Sequence, residues 1–208
     1  MGPVGPCLIG KVRDEFGWMS NMSPHAITHE GLVYPRAEQL FQCMRYFVPE
    51  ELGLKMVRSD VQASQEERDF FCRASDVQKA VRAEKNPMKA KMIAKNGGNT
   101  PFMTVKPLSE KDLQNMRQIL RMKLEQHPVL REKLIATGGR PIIEDCTRRA
   151  RGSGVFWGAA KTATGEWVGE NWLGRLWMQE RFRVVNDHFK RQAESRTLVD
   201  ALDEFRLV

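Results

Sequence analysis

The sequence lacks any long hydrophobic run. No segment approaches the roughly 20 consecutive apolar residues that a membrane-spanning helix needs. The first six residues carry neither the basic start nor the apolar stretch of a signal peptide. We therefore expect a soluble protein of the cytoplasm with no membrane partner.

Cysteines are few, and none of them form a C-x-x-C pair. The four stand at positions 7, 43, 72 and 146, so we expect reduced thiols rather than a zinc or redox motif. His25 and His29 have the spacing of a metal pair on a helix. The residues between them indicate extended structure, however, and no further ligands lie nearby in the sequence. We expect neither a metal nor a cofactor.

The charge is not balanced. Among 208 residues, 33 lysines and arginines face 26 acidic residues, which gives a net charge of +7. This excess favours an anionic partner, either a phosphorylated small molecule or nucleic acid. The basic residues are spread along the chain and do not select between the two. The length predicts one domain with a C-terminal extension. We assign the domain to residues 1–186 and an amphipathic extension to residues 187–208.

Hydrophobic periodicity predicts a mainly helical protein. A short strand is indicated at residues 31–35. The predicted helices are 37–48, 52–58, 77–83, 87–95, 109–126, 129–136 and 172–185. Ser109 and Asp112 have the spacing of a capping box at the start of the helix 109–126. Apolar residues at helical spacing continue in the tail, which is expected either to dock on the domain or to contact a partner.

Residues 147–171 are rich in glycine and hold Phe156, Trp157 and Trp167. This composition predicts a long packed loop, and long loops in compact domains are usually functional. Gly158 and Gly169 would allow the backbone to approach a ligand, and the tryptophans would stack on a base. Trp172 and Trp177, which follow the loop, have the spacing of core residues.

Glu38, Gln42 and Arg45 form the first candidate group. On a helix they share one face, opposite the apolar stripe. A second group, Lys89, Lys91 and Lys95, falls on another short helix. Each pattern is also that of an ordinary solvated surface. A lysine pointing inward would instead have a lowered pKa and a nucleophilic amine.

Two adjacent carboxylates, Glu144 and Asp145, precede a run of three arginines, Arg148, Arg149 and Arg151. Arginines at this density can hold a phosphate through bidentate hydrogen bonds. The alternative is a set of surface ion pairs, which contribute little to stability.

A series of short motifs covers most of the chain, from Phe16 to about Arg183. In chain order they are Met19-Ser-Asn21-Met-Ser-Pro24, Tyr34-x-x-x-Glu38-x-x-Phe41-Gln42, Ala90-Lys91, Met116, Lys123, Leu134-x-x-Thr137-Gly138, Glu144, Trp157-Gly158, Gly169-x-Asn171-x-Leu173-Gly174 and Arg181. Each is weak alone, but their order and spacing together are specific. The chain resembles the NADAR family of YbiA-like N-glycosidases.

The resemblance implies a mainly α, single-domain orthogonal helical bundle with a few short N-terminal strands. It also implies a hydrolase that cleaves the N-glycosidic bond of a phosphoribosyl or ADP-ribosyl compound. Family members act on riboflavin-pathway intermediates or on ADP-ribosylated guanine bases. The expected partner is such a small molecule or an ADP-ribosylated nucleic acid.

By motif match, Glu38 is expected to be the acidic catalytic residue and Lys91 the family's lysine. The expected substrate-binding residues are Asn21, Gln42, Arg45, Arg148, Trp157, Gly158 and Asn171. The family often carries an aspartate three residues before the Trp-Gly pair, where this chain has Gly154. Either Glu144 or Asp145 then supplies the second carboxylate, or the chain takes a different substrate.

Two mechanisms and one rival function stay open. Glu38 would stabilise positive charge on the sugar ring while a second carboxylate donates a proton. Alternatively, the Lys91 amine would attack C1 of the ring-opened sugar and form a Schiff base. The rival function is a non-catalytic module of the same fold that binds nucleotide or nucleic acid.

Overall fold

The computed structural model describes residues 5–46 and 63–206, with side chains described as far as Glu194. The helices are α1 Ala37–Met44, α2 Gln65–Ala83, α3 Pro87–Ala94, α4 Glu110–Gln126, α5 Pro128–Ala136, α6 Ser153–Trp157 and α7 Trp172–Arg206. The strands are β1 Cys7–Ile9, β2 Ile27–His29, β3 Leu32–Tyr34, β4 Ile142–Glu144, β5 Ala160–Lys161 and β6 Trp167–Val168. The predicted mainly helical class is confirmed.

Side-chain caps fix where three helices begin. A complete capping box joins Ser64 and Glu67 at the start of α2. The Asn86 side chain accepts hydrogen bonds from two backbone N–H groups in the first turn of α3. At α4 the predicted capping box is only half formed. The Ser109 hydroxyl accepts from the backbone N–H of Asp112, but the Asp112 carboxylate turns into the core.

Several predicted boundaries are corrected by the structure. Helix α1 ends at Met44 and is followed by a turn, so it is shorter than predicted. The predicted helix 77–83 is the last part of the longer α2. The expected loop over residues 147–171 contains α6 and the β5–β6 hairpin. The predicted helix 52–58 lies outside the described residues.

Strands were predicted only in the N-terminal region, but the structure also has strands later in the chain, from β4 to β6. The predicted strand at residues 31–35 corresponds to β3, which pairs with β2 in an antiparallel hairpin. Strand β1 pairs in parallel with β4, with Ile9 opposite Glu144. Sequence periodicity did not predict the pairing of β1 with β4, because strands of three residues carry almost no periodic signal. Its effect is to bring the end of β4 next to the N-terminal segment.

The core lies between α1 and the helices that pack around it, from α2 to α5, and the first turns of α7. Trp18 and Trp177 meet edge to face with 5.5 Å between ring centroids, and the Trp177 indole N–H donates to the Met19 carbonyl. No helix among the described residues is both long and apolar enough to cross a membrane.

Helix α7 runs without interruption past residue 186, where the domain was predicted to end. Its side chains are exposed from His188 to Glu194, so this stretch does not dock on the domain. The functional division at residue 186 stays a prediction.

Lys123 is a buried cation in α4, inside the apolar stripe that the sequence predicted. Its Nζ donates to the carbonyls of Trp18 and Ser20, at 2.6 and 3.1 Å, and to the Ser23 hydroxyl at 2.7 Å. Burial lowers the pKa of Lys123 to about 7. The lysine therefore ties α4 to the turn of residues 18–23.

Replacing this lysine tests that tie. We expect Lys123→Met to lower the free energy of unfolding by about 1–3 kcal/mol, because three acceptors lose their donor. In the wild type the unfolded chain binds more protons above pH 7, so stability rises from there toward the usual lysine pKa of 10.5. The difference between the two proteins should grow over that range in denaturant unfolding. Lys133→Met, at an exposed position of α5, is the control, and an equal effect of both changes would contradict the assignment.

Candidate active site

A cavity of about 870 Å³ opens where α1, α3, the end of β4 and α6 meet the N-terminal segment. Its size lies within the range of small-molecule sites, roughly 300–1,000 Å³. The sequence candidates that line it are Asn21, Glu38, Gln42, Arg45, Lys91, Lys95, Glu144, Arg149, Arg151, Gly154 and Trp157. Segments more than a hundred residues apart in sequence thus form one site.

Glu38 lies in the first turn of α1 and is almost fully buried. Its backbone N–H donates to the Asn21 carbonyl at 3.0 Å, which joins α1 to the preceding turn. Its Oε1 accepts from Gln42 Nε2 at 2.8 Å, and Lys91 Nζ lies 3.8 Å from the same oxygen. The Lys91 side chain is 28 % exposed, so the pair lies at the cavity wall. Lys89, the other candidate of this helix, is exposed and outside the cavity lining.

Arg45 lines the cavity, but its guanidinium is already engaged. Its Nε and Nη2 donate to the two carboxylate oxygens of Asp112, at 2.9 and 2.6 Å, and its Nη1 donates to Gln42 Oε1 at 3.2 Å. Both charged side chains are buried. Arg45 was expected to bind substrate, and its contacts instead support Gln42 and Asp112.

Glu144 is the last residue of β4 and the second carboxyl group of the cavity. Its Oε2 is buried and has no hydrogen-bond partner within the described residues. Burial raises the pKa of Glu144 to about 8, although the nearby charges of Arg149 and Lys91 act in the opposite direction. At neutral pH this group is therefore mainly a neutral acid with a proton to give.

Asn171 and Gly158 were expected to line the pocket, and the structure places both behind Glu144. The Asn171 amide accepts from the Glu144 backbone N–H at 3.0 Å and donates to the Ile142 carbonyl at 2.9 Å. A Cβ at position 158 would lie only 2.3 Å from the Glu144 carbonyl oxygen, so glycine is required there. These two residues fix the end of β4 rather than contact the cavity.

Trp157 and Asn21 supply a flat wall and an unpaired polar atom. Trp157 packs edge to face on Phe41, with 5.5 Å between ring centroids. Asn21 donates from Nδ2 to the Met116 sulfur, while its Oδ1 is buried without a partner in the described part of the chain. An aromatic face and an open acceptor are what a base and a sugar hydroxyl need.

Two expected site residues point away from the cavity. Asp145 is exposed, and its Oδ1 accepts from the backbone N–H and the hydroxyl of Thr147. Arg148 is exposed and is not part of the cavity lining, which Arg149 and Arg151 join instead. The sequence predicted arginines at the site, but it did not indicate which members of the run turn toward the cavity.

Gly154 lies at the mouth of the cavity in a tight backbone arrangement. A Cβ there would lie 2.1 Å from the Arg149 carbonyl oxygen. Position 154 therefore accommodates only glycine. The carboxyl group that reaches the cavity from this side is that of Glu144.

Asp112 is the residue that sequence reasoning overlooked as part of the site. The one available signal was its position in the capping motif, where glutamate or glutamine is usual. Its role in pairing with Arg45, 67 residues away, has no local signature.

Comparison with known proteins agrees with this architecture. The family model described as NADAR domain matches residues 9–184. The chain is similar to the N-glycosidases YbiA of Shigella flexneri serotype 5b (strain 8401) and Shigella sonnei (strain Ss046). Each is 28% identical over 172 residues, which cover 83% of this chain and 84% of the relative. The fold is similar to the NMR structure of the E. coli protein YbiA, with a TM-score of 0.59, 22% identity and 90% of each chain covered.

The family model covers most of the chain, and its match includes Glu38, Lys91 and Glu144 of the cavity. The protein therefore belongs to the NADAR domain family.

Proposed function

We propose that this protein is an N-glycosidase that hydrolyses the C1–N bond of a phosphoribosyl or ADP-ribosyl compound. One observation carries the proposal: the two carboxyl groups of one cavity have different surroundings. Glu38 is buried beside the ammonium of Lys91, while Glu144 is half-buried and its buried Oε2 has no partner among the described residues. Membership of the NADAR family and the similarity to proteins named N-glycosidase support the same reaction.

The different surroundings assign the two groups different tasks. As the C1–N bond lengthens, positive charge builds on the ring and negative charge on the leaving base. The neutral Glu144 donates a proton to the base nitrogen, so the base departs uncharged. The Glu38 carboxylate stabilises the ring cation and accepts a proton from the water that attacks C1.

The remaining wall of the cavity suits a phosphorylated ribosyl substrate. Lys11, Arg149 and Arg151 give one side a positive charge that fits phosphate oxygens. Trp157 offers a ring face to the base, and Asn21 Oδ1 offers an acceptor to a ribose hydroxyl. A riboflavin-pathway intermediate and an ADP-ribosylated guanine both present these groups.

A second route to the same products uses Lys91. Its amine would attack C1 of the ring-opened sugar and expel the base, and water would then hydrolyse the resulting Schiff base. Lys91 lines the same cavity as Glu38, with its Nζ 3.8 Å from Glu38 Oε1, so its amine is within reach of a sugar bound there.

A non-catalytic binding module is the alternative function. The concentration of Lys11, Lys91, Lys95, Arg149 and Arg151 around one cavity is what a nucleotide-binding pocket also needs. Such a module would bind either substrate and release no base.

Base release from two substrates tests the function. Purified protein is incubated with a phosphoribosylamino-pyrimidine of the riboflavin pathway and, separately, with ADP-ribosylated guanine in DNA, and the products are separated by chromatography. We expect release from one of them, with kcat lowered on the order of 100- to 10,000-fold in Glu38→Gln because the ring cation loses its counter-charge. Tight binding without release would establish the binding module, and full activity of Glu38→Gln would remove Glu38 from its role.

The pH dependence of kcat/KM tests the assignment of Glu144. A general acid with a pKa of about 8 is protonated below that value, so kcat/KM should fall as the pH rises through 8. We expect Glu144→Gln to abolish this decline and to lower the rate at neutral pH by roughly 100-fold or more. Asp145→Asn is the matched comparison, since the neighbouring carboxylate is exposed. Loss of the decline in Asp145→Asn alone would transfer the role to Asp145.

Borohydride reduction distinguishes the two routes. If Lys91 forms a Schiff base, reduction during turnover should attach the sugar to Lys91 and inactivate the enzyme, as peptide mass spectrometry would show. Lys95→Met should still form the adduct, and Lys91→Met should not. An active Lys91→Met enzyme with no adduct in the wild type would leave the carboxylate route.

A further inference from the structure

A continuous chain of buried polar contacts runs beneath the cavity. It begins at Asp112 in α4, passes through Arg45 and Gln42, and ends on Glu38 Oε1. The contacts along it measure 2.6 Å, 3.2 Å and 2.8 Å. All four side chains are buried, so solvent does not compete for these groups.

Each link in this chain has only one possible direction. A guanidinium carries donors alone, so the Arg45 contact requires the oxygen of the Gln42 amide to face Arg45. The amide nitrogen of Gln42 must then point toward Glu38, where it donates to Oε1. Without Arg45 the amide oxygen of Gln42 loses its donor, and the amide is free to rotate away from the carboxylate. Arg45 therefore holds Gln42 in the orientation in which it donates to Glu38.

Asp112 in turn fixes Arg45. Its two carboxylate oxygens accept from Arg45 Nε and Nη2 in a bidentate pair, which leaves Nη1 directed at Gln42. Asp112 Oδ2 also accepts from the backbone N–H of Leu108 at 2.8 Å. Leu108 adopts a positive φ of 65° and lines the cavity mouth. The carboxylate thus accepts three hydrogen bonds from the protein itself, and it does not line the cavity.

We propose that Asp112 is a positioning residue of the active site, which holds the Glu38 carboxylate in its working orientation through Arg45 and Gln42. The inference rests on the proposed glycosidase function, in which Glu38 faces the sugar ring. With Oε1 held by Gln42, the other oxygen, Oε2, is left for the substrate, since no described residue donates a hydrogen bond to it. Asp112 acts without touching it.

The test separates positioning from mere stability. In the double variant Arg45→Met/Asp112→Leu, apolar side chains replace a buried ion pair, a change that is often neutral or stabilising for the fold. We expect the double variant to fold, with a small loss of thermal stability because Gln42 Oε1 and the Leu108 N–H lose their partners. We also expect kcat to fall about 10- to 100-fold, because Gln42 no longer orients Glu38, while KM changes by less than about threefold. A folded double variant with wild-type kcat would overturn the proposal.

A spectroscopic readout makes the test independent of turnover. The side-chain amide signals of Gln42, identified by their loss in Gln42→Met, should be shifted and protected from exchange in the wild type. They should move toward the positions of an exposed glutamine in the double variant. Unchanged Gln42 signals would refute the inference even if the wild type released no base, an outcome that by itself would refute the proposed function.

Two further variants complete the design. Asp112→Asn keeps the shape of the side chain and removes its charge, and it gives the same two readouts if the double variant does not fold. Glu180→Gln is the matched control, because Glu180 is a buried carboxylate that pairs with Arg121 and Arg183 outside the cavity. We expect this control to lose stability and to keep both kcat and the Gln42 signals. Loss of kcat in the control equal to that in the double variant would contradict a specific role of Asp112.

Discussion

The structure depends on one constraint, which is that α1 is buried on every side although it carries polar residues. All eight residues from Ala37 to Met44 are buried. A buried polar group without a partner costs more than a hydrogen bond contributes, so partners inside the protein are favoured, although Gln39 Oε1 has none among the described residues. Gln39 donates to a backbone carbonyl after α2, and Glu38 contacts Lys91 of α3. Gln42 accepts from Arg45, which in turn pairs with Asp112 of α4. The partners of this one helix determine how its neighbours are arranged.

Helical spacing was enough to group Glu38, Gln42 and Arg45, because residues one turn apart share a face whatever the tertiary fold. It was not enough to tell whether that face meets water or protein. The deciding partner, Asp112, lies 67 residues away from Arg45 and is brought close only by packing of α1 against α4. The burial of Lys123 was not predicted for a similar reason. Two of its three acceptors are backbone carbonyls, which every residue type carries, so the sequence does not mark them.

The second carboxylate shows how far local patterns reach. Adjacent residues in extended structure point to opposite sides, so only one of Glu144 and Asp145 can face inward. The sequence predicted that one member of this pair supplies the second carboxyl group of the site. Which of them turns inward follows from the pairing of β1 with β4 and from the anchoring of β4 by Asn171, both of which are long-range contacts. The family motif predicted Asn171 at the pocket, but its side chain points to the backbone of β4 instead. A motif identifies a residue without indicating to which side of the backbone its side chain points.

The cavity is also where the fold leaves polar atoms unsatisfied. Within the described residues, four buried side-chain atoms have no hydrogen-bond partner, and two of these, Asn21 Oδ1 and Glu144 Oε2, belong to residues that line the cavity. The raised pKa of Glu144 means that the folded state loses stability as the pH rises from about 4.5 to about 8, since the unfolded carboxyl ionises first. A ligand that offers a hydroxyl to Asn21 and a proton acceptor to Glu144 relieves both deficits. These two atoms therefore favour a ligand with those groups.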